Sequence, residues 1–158
     1  KYMVDCMKHI IKLGLKDDFI ITGYLPEDKL PTYYAAADIF VLNYMNSGYI
    51  SASGCSAKLV AARRPIVTTH GTFRNEELID GKTCLKVKEG DMDEMLTAIE
   101  KLVRDRKLYD DIVEGAYEYA QTNSWKNVAK QHETLYRRCY HERSRLNEGN
   151  SSKRIQPS

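Results

Sequence analysis

Three short, β-branched apolar runs constrain this chain more than anything else in it: "DIFVLNY" (Asp38–Tyr44), "PIVTTH" (Pro65–His70) and "TCLKVK" (Thr83–Lys88). A similar run, "FIITGYL" (Phe19–Leu25), precedes them and is closed by Gly23. Runs of this kind read as buried strands. Helical spacing separates them, and strands alternating with helices build βα units. The expected fold class is therefore α/β: a doubly wound, mostly parallel sheet with helices on both faces.

The helical stretches are legible from their stops. Met3, Met7, Ile10 and Ile11 share one face of a helix that ends at Gly14. A short helix is expected over Leu30–Ala37, and another over Gly54–Arg63, stopped by Pro65. A further short one is expected around Asn75–Ile79, before the Asp80-Gly81 turn. Helices over Asp91–Arg104, Lys107–Gln121 and Trp125 to about His141 complete the pattern. Residues 1–141 thus read as one Rossmann-like domain. Residues 142–158 are polar and have no apolar period, so they are expected to be a disordered tail.

Charge and cysteine content narrow the function classes. With 24 Lys+Arg against 22 Asp+Glu the net charge is +2, and acids are interspersed with bases. That balance argues against a nucleic-acid footprint. No apolar run approaches the ~20 residues that span a bilayer. Cys6, Cys55, Cys84 and Cys139 are widely spaced, without zinc or disulfide patterning, and read as free thiols of a reducing cytosol. No metal or cofactor is expected.

In a doubly wound sheet, ligands sit beyond the carboxyl ends of the strands. The candidate segments are Gly23–Leu25, Asn43–Cys55 and His70–Phe73. Within the second lies the turn "SASGCS" (Ser51–Ser56). Ser53 is placed to cap the helix, and Gly54 leaves room for close approach. The amides of Gly54, Cys55 and Ser56 sit at the helix's positive end, where Ser51 and Ser53 add hydroxyl donors for a diphosphate. By itself the turn reads first as a plain capped helix packed on its strand, a feature that specifies no ligand.

The ordered series "GYLPEDKLPTYYAAADIFVLNY", "SASGCSAKLVAARRPIVTT", "EELIDGKTCLKV" and a late Trp125 resembles the carboxyl-terminal domain of retaining GT-B glycosyltransferases of family 4 (group 1). The likeness covers roughly Phe19 to Tyr140. It implies two Rossmann-like domains, a nucleotide-sugar donor bound mainly by this one, and no cofactor. It also implies that Gly23, Tyr24 and Leu25 meet the base through backbone groups, that Ser51–Ser56 holds the diphosphate and sugar, and that Lys58 faces the ribose. A lysine on a solvated helix face accounts for Lys58 equally well.

Two departures stand out. The family carries two glutamates at positions that correspond here to Ile50 and Lys58, and neither is acidic. The family's domain also opens with a strand, helix and strand that this chain lacks before Met3. Those strands would lie between Phe19–Leu25 and Asp38–Tyr44, so their absence would split the sheet. The expectation is a fragment of a longer enzyme, inactive alone, with its acceptor site and any peripheral membrane contact on an amino-terminal domain.

Other residues read more plainly. Arg63 and Arg64 offset the helix dipole, and His70 borders the sugar pocket or is incidental. Glu77 anchors the short helix around it. Tyr33, Tyr34, Tyr117, Tyr119, Tyr136 and Tyr140 pack at the core edge, and Trp125 docks the last helix on the body. The functional expectation is transfer of a sugar from a UDP- or GDP-hexose to a glycan or lipid-linked acceptor. Its rivals are a non-catalytic nucleotide-binding module and a nucleotide-sugar epimerase.

Overall fold

Alternating apolar strands and amphipathic helices make two units of this chain, Lys1–Ala36 and Ala37–Ser158, in a computed structural model that describes residues 2–44, 54–70 and 77–152. The first unit holds helix α1 (Tyr2–Lys12) and the short α2 (Leu30–Ala36). No residue of either helix is buried. Between them, Phe19–Leu25 forms no strand, and Ile20 is 86% exposed. This corrects the expected buried strand. A β-branched run becomes a strand only where a ladder partner accepts its backbone, and no described residue pairs with this one.

The second unit contains β1 (Phe40–Leu42), α3 (Gly54–Leu59), β2 (Ile66–Thr69), β3 (Leu85–Val87), α4 (Met92–Arg104), α5 (Arg106–Thr122) and α6 (Trp125–Ser152). The described strands form one parallel sheet in the order β1-β2-β3. Phe40 pairs with Ile66 and Leu42 with Thr68; Val67 pairs with Leu85 and Thr69 with Val87. The central strand is buried throughout, as a parallel strand covered on both faces must be. Its two threonines satisfy their hydroxyls sideways: Thr68 Oγ1 donates to the Leu42 carbonyl at 3.0 Å and Thr69 Oγ1 to that of Tyr44 at 2.6 Å. These bonds extend the β1–β2 pairing beyond the ladder.

The core lies between the sheet and α4. Met95, Ala98 and Leu102, spaced along one face, meet Val67, Val87 and Ile112 of α5. Asp91 caps α4 by accepting the Glu94 amide, and Asp105 caps α5 by accepting that of Leu108. α3 stops at Leu59, short of the expected Arg63. Glu77–Ile79 carries no helix; Thr83 organises that turn, taking the Ile79 amide at 2.7 Å and donating to the Glu77 carbonyl at 2.5 Å. α6 continues through Glu142 to Ser152, into the stretch expected to lack structure. Its Glu, Arg and Ser residues carry adequate helix propensity, and extending a formed helix costs far less than starting one.

Candidate functional site

α3 owes its placement to one face. Ser56 and Leu59 are buried together with Val60 just beyond, while Gly54, Cys55 and Lys58 face solvent. The first-turn amides of any helix lack intrahelical acceptors, so the exposed Gly54–Cys55 start presents donors outward. Among the described residues, a Cβ built on Gly54 meets no atom within 4 Å.

What holds this turn is a contact that sequence reading missed. Ser56 Oγ donates to Glu77 Oε1 at 2.6 Å, joining residues 21 apart in the chain. Glu77 in turn is held through its carbonyl by the fully buried Thr83. Glu77 is expected to anchor a short helix of its own, but no helix runs through Glu77–Ile79 and its carboxylate meets α3 instead. A signal existed: Ser56 shares its helix face with Leu59, and a hydroxyl facing a core requires a partner. The serine's hydroxyl therefore faces Glu77.

The remaining expected residues are distributed as follows. Ser51 and Ser53 lie outside the described residues. His70 follows β2, with its side chain exposed and its amide donating to the Val87 carbonyl at 2.7 Å. Gly23, Tyr24 and Leu25 belong to the first unit; Gly23 has φ +65° and Tyr24 is exposed. Lys58 is exposed on α3. Arg63 and Arg64 do not cap α3. Arg64 Nε donates to the Ala37 carbonyl at 2.6 Å, and Arg63 lies over the Tyr117 ring at 3.8 Å. A bond from Gln121, then the Arg63 charge, holds the Tyr117 hydroxyl below its ordinary pKa.

Four aromatic expectations are corrected. Trp125 is 88% exposed rather than docked, although it borders a cavity with Ala57, Val60 and Tyr119; Tyr33, Tyr136 and Tyr140 are exposed rather than at a core edge. Helix α6 contributes no buried residue among those described, so its apolar face has no core to enter. The four cysteines are free thiols, as expected. Among the described residues no group of His, Cys, Asp and Glu could hold a metal ion, and no helix is long and apolar enough to cross a membrane. The chemistry open to the α3 turn is anion binding by amides and the helix's positive end.

Comparison with known proteins finds likenesses to sugar-transferring enzymes along most of the chain. The family model for glycosyl transferases group 1 matches residues 4–105. A GDP-mannose-dependent alpha-(1-6)-phosphatidylinositol monomannoside mannosyltransferase of Mycolicibacterium smegmatis is 27% identical over 115 residues, covering 66% of this chain and 28% of that protein. The carboxyl-terminal domain of a group 1 glycosyl transferase from Francisella tularensis superposes with a TM-score of 0.66 at 19% identity, over 77% of this chain and 62% of that one. Anabaena HepE, solved with UDP-glucose, superposes with a TM-score of 0.70 at 20% identity, over 85% of this chain and 36% of that one. The chain spans between 27% and 32% of the length of the curated relatives it matches.

Proposed function

The chain belongs to the group 1 glycosyltransferases, with the fold of a Rossmann-like half of a GT-B enzyme; from that premise we propose that it is the donor-binding part of a retaining hexosyltransferase. In this reading it binds a UDP- or GDP-hexose whose sugar passes to a glycan or lipid-linked acceptor held on another domain of a longer, cytoplasmic protein. The amides of Gly54, Cys55 and Ser56, with the hydroxyls of Ser51 and Ser53, take the diphosphate. They stabilise the charge that develops on it as the sugar leaves. Lys58 meets the ribose, and His70 borders the sugar.

The observation that carries this reading is the α3 turn: exposed at Gly54 and Cys55, with no described atom near a Gly54 Cβ, and held by the Ser56–Glu77 contact. The complex of HepE with UDP-glucose supports the ligand class. A second reading, a nucleotide-binding module without transferase activity, is favoured by Lys58, which stands where the family carries a glutamate.

Thermal unfolding with UDP, GDP, ADP or buffer alone tests the site. A nucleotide at about 100 times its Kd stabilises by roughly 2.7 kcal/mol, which raises Tm by a few degrees. The expected result is a shift with one nucleotide that Gly54→Glu abolishes, with an unfolding transition of the variant that remains cooperative in buffer alone. No shift with any nucleotide would overturn donor binding by this chain. A nucleotide shift without sugar transfer by the full-length protein would favour the second reading.

A further inference from the structure

Among the described strands the sheet ends at β3, and the backbone edge it would offer there is already occupied. Along a strand, backbone groups point alternately toward and away from the neighbouring strand. The Val87 carbonyl accepts the His70 amide at 2.7 Å, so Leu85 and Val87 face β2 while Cys84, Lys86 and Lys88 face outward. Each of those outward amides has a partner from this chain. Lys86 N–H donates to Asp80 Oδ1 at 2.8 Å, and Lys88 N–H to Glu94 Oε2 at 2.7 Å. The Cys84 amide donates to the Ile79 carbonyl at 3.3 Å. Two outward carbonyls are taken as well, that of Cys84 by the Gly81 amide at 2.9 Å and that of Lys88 by the Asp91 amide at 3.2 Å.

Glu94 shows that this arrangement departs from ordinary capping. It stands three residues after the N-cap Asp91, where a glutamate commonly returns to the amide of the cap residue. That amide serves the Lys88 carbonyl instead, and the Glu94 carboxylate reaches the strand edge. β3 is also only three residues long, and Lys86 and Lys88 interrupt its apolar run. Short length and lysines both blunt a strand edge, which otherwise templates pairing with another chain.

We propose that Asp80 and Glu94 guard the β3 edge: by holding the outward amides of Lys86 and Lys88, they bar a strand from a second copy of this chain from extending the sheet. An incoming strand needs those two amides as donors to its own carbonyls. Each is committed to a carboxylate, and a charge-assisted bond is stronger than the neutral one that would replace it. Each carboxylate oxygen also stands where the incoming carbonyl would have to be. This device is independent of donor binding.

Deuterium exchange and sedimentation velocity of the intact chain, between about 10 and 500 μM, test it. In the native sequence the Lys86 and Lys88 amides should exchange at least about tenfold more slowly than open amides, equally at every concentration. Asp80→Ala with Glu94→Ala should open both amides at low concentration. At high concentration their protection should return at least about tenfold, as a larger species sediments. Asp80→Asn with Glu94→Gln keeps both acceptors and should behave as the native chain. Asp110→Ala with Asp111→Ala removes two charges from α5, leaves the edge alone, and should also behave as native. Far-ultraviolet dichroism verifies the fold of each variant; should the alanine pair not fold, Glu94→Ala alone carries the same expectation at Lys88. Fast exchange of either amide in the native chain overturns the proposal. So do amides that stay open at every concentration in the alanine variants, or association that the α5 pair reproduces.

Discussion

Arg63 is the only described non-glycine residue with positive φ, +55°. A left-handed backbone at such a residue costs about 1–2 kcal/mol. Its guanidinium lies 3.8 Å above the Tyr117 ring, and a cation–π contact returns about 0.5–1 kcal/mol at an exposed site. The chain thus turns out of α3 toward β2 at small net cost. Cys84 illustrates the opposite case, a group whose chemistry is set by burial. It is fully buried beside β3, and desolvation pushes its thiol up to about 11. The folded state therefore holds this proton after the unfolded thiol, near about 8.5–9, has lost its own. That contribution is complete below the unfolded value and disappears as pH climbs through the folded one. Urea unfolding of the chain and of Cys84→Ala should show it. Between pH 8 and 11 the native sequence is expected to lose about 2–3 kcal/mol more than the variant. Parallel stability curves for the two would refute the assignment.

Helices α4 and α5 are joined by a single residue that serves both. The Asp105 amide closes α4 on the Lys101 carbonyl at 2.8 Å, and its carboxylate opens α5 by accepting the Leu108 amide at 2.9 Å. With no loop to absorb error, α5 must fit the turn before β3 as it finds it. Gly115 makes that fit, because a Cβ there would sit 2.2 Å from the Lys82 carbonyl oxygen. Mid-helix glycine costs about 1 kcal/mol against alanine, so propensity alone favours Gly115→Ala. The steric conflict is with backbone, which gives less readily than a side chain. Gly115→Ala is therefore expected to destabilise by roughly 1–3 kcal/mol and to lower Tm by several degrees. A Tm equal to or above that of the native sequence would show that α5 moves freely away from the turn. Ser56 and Glu77 fix α3 in the same manner, by one short contact rather than by helix length.

Across the whole molecule, burial is concentrated in Ala37–Ser158, where β2 is the central strand and α4 covers it. Neither helix of Lys1–Ala36 buries a residue. Local opening follows burial, so amides of β2 and α4 should exchange with deuterium at least about 100-fold more slowly than those of α1. Equal protection of α1 would contradict this distribution. The elements that the sequence made legible are those governed by neighbours along the chain. The helical stretches that became α4 and α5 and the β-branched runs of β1, β2 and β3 needed no distant partner to be read. The start of a helix at Gly54 was legible, and the ordered series around it as the family. Other outcomes were illegible because they depend on meetings in space. Phe19–Leu25 is as apolar as Asp38–Tyr44, yet only the latter meets a partner, Ile66–Thr69, that completes its hydrogen bonds. Ser56 found Glu77 across 21 residues, and Trp125, expected to dock, is 88% exposed. The sequence by itself determined the local periods, caps and turns, because these arise from sterics and hydrogen bonds within a few residues. Only the tertiary structure decided which apolar run became a strand and which face stayed open, because pairing and burial depend on what the rest of the chain brings alongside.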